Sequence, residues 1–295
     1  MKSKVLFIIN PVAGGKRKDA VPGLIQQHLD AAKFEYTIVY TTGVAHAREL
    51  SAAGVGKYTI IIAVGGDGTV NEVASALVGA GSIFGVIPFG SGNGLSRFLG
   101  IPMDIENAIK NINAGRVEAI DTGLMNGRHF FNMAGMGFDA HISEVFSHDK
   151  KRGFWAYIKS SFQEVTNYKS EIYQLNIDGR AYERQAFMLS FANSSQYGNN
   201  AHISPRASVQ DGLLDVCVVK PFPLYKFIIM GLRMFSKTAH KSPYVEIIQG
   251  RDIMVTRKKA GPVHLDGEPQ LMGDSVAIKI LPASLKLIVG STYKA

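Results

Sequence analysis

Buried strands and amphipathic helices alternate in the hydrophobic pattern of the first 120 residues. Continuous β-branched runs such as 58–64 are typical of central strands in a parallel sheet that is covered on both faces. Residues 70–78 carry apolar side chains at i, i+3, i+4, i+7 and i+8, the stripe of a helix packed on such a sheet. This alternation predicts an α/β domain with a doubly wound parallel sheet. The pattern predicts strands near 5–9, 36–40, 58–64 and 84–89, and helices near 19–33, 45–53, 70–78 and 104–114.

Hairpin signals replace this alternation in the rest of the chain. Asn-Gly at 126–127 and Asp-Gly at 178–179 each separate two strand-like runs, and both dipeptides favour the two-residue turns of β-hairpins. A helical insertion is predicted near 144–168. The pattern therefore predicts two domains, an α/β domain over 1–120 and an antiparallel β-sandwich domain over 121–284.

Glycine-rich turns follow three of the predicted strands. Residues 65–69 are Gly-Gly-Asp-Gly-Thr, residues 90–94 are Gly-Ser-Gly-Asn-Gly, and residues 10–16 are Asn-Pro-Val-Ala-Gly-Gly-Lys. Glycines let the backbone approach an anion closely, and the unpaired N–H groups at a helix start then face that anion. Ligands of open parallel sheets bind beyond the carboxyl ends of the strands, so the three turns are predicted to line one phosphate-binding crevice. Asp67 stands where a carboxylate could meet phosphate-bound Mg²⁺.

Composition and charge narrow the classes of function. The 295 residues, 46 % of them apolar, can bury a sizeable core, and a net charge of +8 suits an anionic lipid, a polyphosphate or a nucleic acid. The basic triplets lie in no recognised nucleic-acid module, so no nucleic-acid partner is expected. The single cysteine, Cys217, allows no disulfide framework and favours a reducing, cytoplasmic compartment. No apolar stretch reaches the ~20 residues that span a bilayer, so any membrane contact is expected to be peripheral.

One amphipathic segment, 223–240, is a candidate for contact with a membrane surface. Its apolar residues fall on one helical face and its basic residues on the opposite one, as in helices that lie at a lipid interface. Packing on the sandwich or in a homodimer is the alternative. The apolar residues are Leu224, Ile228, Leu232 and Phe235, and the basic residues are Lys226, Arg233 and Lys237.

Five short motifs in a fixed order carry a family resemblance. They are Asn-Pro-x-x-Gly at 10–14, Gly-Gly-Asp-Gly-Thr-x-x-Glu at 65–72, Gly-Ser-Gly-Asn-Gly at 90–94, Asp-Gly-Leu-Leu at 211–214 and Asp-Gly-Glu-Pro at 266–269. The set resembles the catalytic domain of the diacylglycerol kinase and sphingosine kinase family of lipid kinases. The resemblance covers nearly the whole chain and implies the same two-domain plan, in which a last strand near 285–295 can return to the first domain.

The resemblance implies an ATP- and Mg²⁺-dependent kinase that transfers the γ-phosphoryl group of ATP to a hydroxyl group of a lipid. Asp67 would work with the metal, and Glu268 would be the general base with Asp266 in support. Asp139 matches a family acid that faces the lipid head group, and Asp121 matches a family aspartate near the cleft. Each is expected to hold a hydroxyl or an amine of the lipid, and a turn cap is the alternative for both. The residues expected to bind ATP are Asn10, Pro11, Gly14, Lys16, Thr41, Gly65, Gly66, Asp67, Gly68, Thr69, Asn71, Ser91 and Asn93.

A second, structural Mg²⁺ site is implied around Asp211, together with the backbone carbonyls of Ser208 and Leu213. One carboxylate with carbonyl and water oxygens suits a hard cation. A plain turn before the next strand is the alternative.

The acceptor lipid stays open at this point. Gly94 stands where the common bacterial diacylglycerol kinase pattern has aspartate, and the motif at 90–94 is nearer to the sphingosine kinase form, so diacylglycerol, a sphingoid base and related lipids are all candidates. An NAD kinase-like enzyme shares the Gly-Gly-Asp-Gly-Thr motif, but the Asp-Gly-Glu segment argues against it. A catalytically silent lipid or nucleotide sensor is a third hypothesis, which the intact Asp67 and Glu268 disfavour.

Overall fold

A computed structural model describes residues 2–12, 18–147, 161 and 163–294 of the chain. The chain divides into two compact units. The first comprises Met1–Ile120 with Ala283–Ala295, and the second comprises Asp121–Pro282. Among the described residues, no helix is long and apolar enough to cross a membrane.

A parallel sheet organises the first unit, with strand order β2-β1-β3-β4 and the end of β18 parallel to β4 through Leu287 and Phe84. Strands and helices alternate along the chain, which confirms the predicted doubly wound α/β class. The elements are β1 (Ser3–Ile9), α1 (Val21–His28), β2 (Phe34–Tyr40), α2 (His46–Gly54), β3 (Ile60–Gly65), α3 (Asp67–Ser75), β4 (Ile83–Pro88), α4 (Gly94–Phe98), α5 (Ile105–Ala114) and the last residues of β18 (Ser275–Ile288).

Helices cover both faces of this sheet, which is why its central strands are continuously apolar. Alternate residues of β1 and β3, among them Phe7 and Ile62, form one buried cluster with residues of α1 and α5. On the other face, a Cβ at Gly54 of α2 would lie 2.9 Å from Leu6 Cδ2 and 3.0 Å from Ile61 Cδ1. The absence of a side chain there lets α2 lie close against the strands.

Two helix ends show how far local sequence fixes the boundaries. Asp104 caps α5 by accepting a hydrogen bond from Asn107 N at 2.9 Å, and Gly115 ends that helix with φ +65°, both as the sequence predicts. Helix α1 ends at His28, short of the predicted 33. Asp30 Oδ1 accepts from Ala32 N at 2.9 Å, and this local turn leads the chain into β2 instead of continuing the helix.

Two antiparallel sheets form the second unit. One has the order β14-β13-β10-β7-β16-β17, and the other joins β9, β8, β15 and the first part of β18. The elements are β5 (Val117–Met125, whose first residues belong to the first unit), β6 (Arg128–Phe130), β7 (Met133–Gly137), α6 (Phe138–Ser147), β8 (Glu171–Ile177), β9 (Arg180–Ala186), β10 (Met188–Ala192), β11 (Gln196–Gly198), β12 (Ala201–His202), β13 (Leu214–Val219), α7 (Phe227–Phe235), β14 (Val245–Gly250), β15 (Asp252–Arg257), β16 (Gly261–Leu265), β17 (Glu268–Met272) and β18.

The core of the second unit draws on both of its sheets. Phe191 and Val263 of the six-stranded sheet share one buried cluster with Leu175 and Val255 of the other. This arrangement confirms the predicted antiparallel β-sandwich. Helix α6 begins at Phe138, earlier than the predicted insertion at 144–168, and most of that predicted segment lies outside the described residues.

Three two-residue turns of one type connect neighbouring strands of this unit. Both positions of each turn have positive φ. The angles are 45° and 79° at 126–127, 49° and 82° at 178–179, and 52° and 89° at 266–267. This is the backbone of a type I′ turn, which Asn-Gly and Asp-Gly favour. The sequence predicts the first two as hairpins. The third joins β16 to β17 and carries the candidate catalytic acids.

Candidate functional site

The turns after β1, β3 and β4 are tied together by side chains in the first unit. Asn10 Nδ2 donates a hydrogen bond to Thr69 Oγ1 at 3.0 Å, which links the turn after β1 to the turn after β3. Asp67 Oδ2 accepts from Asn93 N at 2.9 Å, which links the turn after β3 to the turn after β4. The structure thus brings together the described parts of the three glycine-rich turns at the carboxyl edge of the sheet.

Close backbone approach explains the glycines of two of these turns. A Cβ at Gly66 would lie 3.2 Å from Gly90 Cα, and a Cβ at Gly65 would lie 2.5 Å from Thr69 Oγ1. A side chain at Gly66 would push the turns after β3 and β4 apart, whereas one at Gly65 would collide with Thr69 in its own turn. Gly66 therefore lets the two turns pack against each other in addition to leaving space for an anion.

Helix α3 begins inside the central motif. Gly66 precedes the helix in an extended conformation, and Asp67, Gly68 and Thr69 form its first turn. The first N–H groups of a helix lack intrahelical acceptors, and the positive end of the helix dipole points the same way. The turn therefore presents donors suited to a phosphate group.

Glu72, the last residue of this motif, has a structural role that the sequence did not reveal. Its Oε1 accepts from Ala45 N at 3.0 Å, and its Oε2 accepts from Ala47 N at 3.1 Å. Ala45 has φ +64° and immediately precedes α2. Glu72 therefore caps α2 from a neighbouring helix, which supplies the negative charge that a helix start favours.

Asn93 closes its own turn. It lies in the left-handed region with φ +51°, its Oδ1 accepts from Gly90 N at 3.0 Å, and its Nδ2 donates to Gly90 O at 2.7 Å. Asn93 is buried, whereas Ser91 at the tip of the turn is exposed and its hydroxyl forms no hydrogen bond with a described residue. Ser91 is thus better placed than Asn93 to reach a ligand.

Other predicted ATP-binding residues have mixed surroundings. Thr41 is buried and its N–H donates to Ile9 O at 2.9 Å, and Asn71 Oδ1 accepts from Ser75 Oγ at 3.3 Å. Pro11 is exposed beside the turn after β1. Gly14 and Lys16 lie outside the described residues.

A buried lysine that the sequence did not single out lies under the turn after β1. Lys18 is only 4 % exposed, its Nζ donates to Pro11 O at 3.4 Å, and that ammonium group lies 5.1 Å from the centre of the Phe89 ring. Burial lowers the pKa of Lys18. Its membership of the basic triplet 16–18 was the available signal, but only the fold shows that this cation is internal.

The Asp-Gly-Glu turn of the second unit separates its two acids by environment. Asp266 Oδ1 accepts from Asn132 N at 2.8 Å and Met133 N at 3.0 Å, and Oδ2 accepts from Phe131 N at 3.0 Å. Glu268 is exposed at the start of β17, and its carboxylate forms no hydrogen bond or ion pair with a described residue. Asp266 therefore fixes the backbone, and Glu268 has uncommitted oxygens with which to accept a proton.

Asp139 is the centre of a buried polar cluster. Its Oδ2 accepts from Tyr197 Oη at 2.9 Å and Ser190 Oγ at 3.3 Å and lies 3.0 Å from His264 Nε2, while Oδ1 accepts from Ala140 N at 2.8 Å. Burial and the nearby Asp139 charge raise the pKa of Tyr197, which keeps its hydroxyl a donor. At 4 % exposure, Asp139 has a geometry that favours an internal role over direct contact with a lipid.

His264 connects this cluster to the candidate catalytic turn. Its Nδ1 accepts from Gly267 N at 3.4 Å, so Nε2 carries the proton that is donated to Asp139. The buried cluster is therefore hydrogen-bonded, through His264, to Gly267, the residue between Asp266 and Glu268.

Acidic side chains gather around the predicted structural cation site. Asp121 Oδ2 accepts from Gly212 N at 2.7 Å, and Asp211 Oδ1 accepts from Leu213 N at 3.0 Å. Burial, followed by the charges of Asp215 and Asp121, raises the pKa of Asp211. A bound cation would relieve that negative potential, and the carbonyls of Ser208 and Leu213 accept no hydrogen bond from a described residue, so these residues fit Mg²⁺. Within the described ranges, no group of three or more His, Cys, Asp or Glu side chains forms a ready metal cage.

Two family models match the chain along most of its length. Residues 4–125 match the diacylglycerol kinase catalytic domain, and residues 132–289 match the YegS C-terminal NAD kinase beta sandwich-like domain.

Relatives with both parts are found in several bacteria. A Klebsiella pneumoniae protein named "probable lipid kinase YegS-like" is 30 % identical over 233 residues, which cover 77 % of this chain and 76 % of that protein. The Bacillus subtilis protein named diacylglycerol kinase is 27 % identical and is matched over 88 % of its length and 89 % of this chain. A solved Bacillus anthracis structure, described as a candidate diacylglycerol kinase, superposes with a TM-score of 0.81 at 27 % identity and covers 98 % of both chains.

The two domain matches and the relative at 30 % identity agree with the sheet order and with the turn motifs. The chain therefore belongs to the family of diacylglycerol kinases and YegS-like lipid kinases.

Proposed function

We propose that this lipid kinase family member transfers the γ-phosphoryl group of ATP to a hydroxyl group of a lipid in an Mg²⁺-dependent reaction. The observation that carries the proposal is the linkage of three phosphate-type turns at one edge of the first sheet through Asn10–Thr69 and Asp67–Asn93. The enzyme would be cytoplasmic and would meet its acceptor at a membrane surface.

The first unit would bind the nucleotide. The N–H groups at the start of α3 would donate to its phosphates, Ser91 would add a hydroxyl, and the buried Lys18 would add positive potential beneath the turn. Asp67 would hold Mg²⁺ directly or through its water shell. When bound, Mg²⁺ neutralises charge on the phosphate oxygens.

The second unit would supply the base. The hydroxyl oxygen of the lipid forms a new bond to the γ-phosphorus, the bond from that phosphorus to the bridging oxygen breaks, and ADP leaves. Glu268 accepts the hydroxyl proton, for which its exposed carboxylate is available. Asp266 keeps the turn in place through three backbone hydrogen bonds.

Incubation of the purified protein with Mg²⁺ and γ-³²P-labelled ATP tests the proposal. The acceptor panel contains diacylglycerol, a sphingoid base, phosphatidylglycerol, a total lipid extract and NAD, each separated from ATP after the reaction. We expect label on a lipid and its loss in EDTA. Label on NAD alone would support an NAD kinase-like enzyme instead.

Matched variants decide between a kinase and a silent sensor. Glu268→Gln preserves shape and is expected to abolish most transfer without loss of ATP binding. A wild-type protein that binds Mg²⁺-ATP and each lipid but transfers no label to any acceptor would contradict the proposal.

A further inference from the structure

Helix α7 and the turn before it expose an unusual concentration of large apolar side chains. Tyr225 is 72 % exposed, Leu232 is 63 % exposed and Ile228 is 58 % exposed. Together with their neighbours these residues form what we call the docking face. It comprises Leu224, Tyr225, Ile228, Ile229, Leu232 and Phe235.

The opposite side of α7 packs on the second unit. Met230 is buried in a cluster with residues of β10 and β13, and Phe227 and Met234 pack against the same cluster. At about 100° per residue, these three side chains lie roughly opposite the centre of the docking face. The helix is thus apolar on both sides, and the side that carries Met230 packs on the second unit, while Tyr225, Ile228 and Leu232 on the other side stay more than half exposed.

Charge along the segment that carries the docking face has one sign. Between Asp215 and Glu246 the chain contains no acidic residue and five Lys or Arg residues, although acids make up 24 of its 295 residues. With Ile229 included in the face, Arg233 lies at its edge instead of opposite it, because the two residues are about 40° apart around the helix, and Lys237 follows the end of the helix. The charged groups of Arg233 and Lys237 contact no described acid. A run of thirty residues with cations only is complementary to an anionic surface.

We propose that the docking face inserts into the surface of an anionic lipid bilayer, with Arg233 and Lys237 against its head groups. Aliphatic residues with Tyr and Phe on one face and cations at its edge suit the boundary between head groups and acyl chains. In a symmetric dimer through this face, the same cations would come together from both copies, which disfavours self-association. The proposal rests on the proposed lipid kinase function for its purpose, but vesicle binding needs neither ATP nor an acceptor.

Vesicle flotation tests the proposal directly. The probe is phosphatidylcholine vesicles with and without 30 % phosphatidylglycerol, added to full-length protein. Each cation near an anionic surface contributes about fivefold in affinity, so Arg233→Glu with Lys237→Glu should lower binding at least about 25-fold. Each large aliphatic side chain that leaves water contributes about tenfold or more, so Ile228→Ser with Leu232→Ser should lower binding at least as far.

Two matched controls localise the effect. Ile172 is 56 % exposed on β8, close to the exposure of Ile228, and Lys258 and Lys259 are an exposed basic pair after β15. We expect Ile172→Ser and the double variant Lys258→Glu with Lys259→Glu to bind vesicles like the wild type. Loss of binding in these controls equal to that in the α7 variants would overturn the assignment to α7. Thermal unfolding of every variant establishes that it is folded.

A fluorescent label reports insertion at a single position. The native Cys217 is fully buried, so it does not compete for a thiol label. Leu232→Cys that carries an environment-sensitive dye should shift to shorter emission wavelength on anionic vesicles, whereas Ile172→Cys should not. Absence of this shift would refute the proposal. A dimer in solution that dissociates in Leu232→Ser, with vesicle binding unchanged, would also refute it. Vesicle binding without transfer to any lipid would instead count against the proposed catalysis alone.

Discussion

The two acids of the Asp-Gly-Glu turn should respond to the same chemical change in opposite ways. Asp266→Asn and Glu268→Gln each replace a carboxylate by an amide of nearly equal shape. Asp266 accepts three backbone hydrogen bonds from residues 131–133, whereas Glu268 has none with a described residue. We therefore expect the first change to affect stability and the second to affect turnover.

The size of the stability effect follows from these contacts. Hydrogen bonds to a charged acceptor are roughly twice as strong as neutral ones, a difference of about 1 kcal/mol for each bond. Asp266→Asn weakens three such bonds and can turn an amide donor towards Phe131 N, so the free energy of unfolding should fall by about 2–4 kcal/mol. Glu268→Gln should change it by less than about 0.5 kcal/mol.

Hydrogen exchange and kinetics measure the two halves of this prediction separately. In Asp266→Asn, the amides of residues 131–133 should exchange about 30- to 700-fold faster, since 1.4 kcal/mol corresponds to a factor of ten. In Glu268→Gln, kcat should fall by about 10²–10⁴-fold with little change in ATP affinity. Unchanged exchange in Asp266→Asn would refute the structural role of that carboxylate. Near-normal turnover of Glu268→Gln would make Asp266 the next candidate for the base.

Three further predictions concern other parts of the proposed machinery. Asp67→Asn should weaken the binding of Mg²⁺-ATP about tenfold or more and that of metal-free ATP much less, because the proposed partner of Asp67 is the metal. Calorimetry with and without EDTA measures the two affinities, and an equal loss in both would contradict the prediction. In the wild type EDTA should lower the melting temperature, and in Asp211→Asn this fall should disappear because the Mg²⁺ ligand is gone. A fall of the same size in the variant would exclude Asp211 as the structural Mg²⁺ ligand. His264→Leu removes a hydrogen-bond donor from the buried Asp139 and should lower the free energy of unfolding of the second unit by about 2–4 kcal/mol, as measured in urea. His264→Gln keeps a donor and should recover part of that loss. Equal stability of the two variants would show that the hydrogen bond contributes nothing.

Local patterns were sufficient for the fold class. Continuous apolar runs predicted strands covered on both faces, and residues such as Asp104 and Gly115 fixed the ends of a helix because capping depends on a few neighbouring atoms. Asn-Gly and Asp-Gly predicted hairpins because their backbones tolerate positive φ. The early end of α1 was missed because a local turn at Asp30 overrides the periodicity.

Long-range contacts explain what the sequence did not reveal. His264 and Asp139 are 125 residues apart, and Glu72 caps a helix start 27 residues before it. Such pairs leave no periodic signal because each depends on how separate elements pack. The same reason hides the burial of Lys18, which the sequence shows only as one member of a basic triplet.

The motif residues divide by whether their polar atoms are already used within the protein. Asn93, Glu72 and Asp266 direct their oxygens to backbone N–H groups, and a side chain whose oxygens are used in this way has little capacity left for a substrate. Ser91 and Glu268 are exposed and make no hydrogen bond with a described residue through their side chains. Residues of the first kind should therefore govern whether the turns keep their shape, and residues of the second kind should govern what the turns bind and how fast they react.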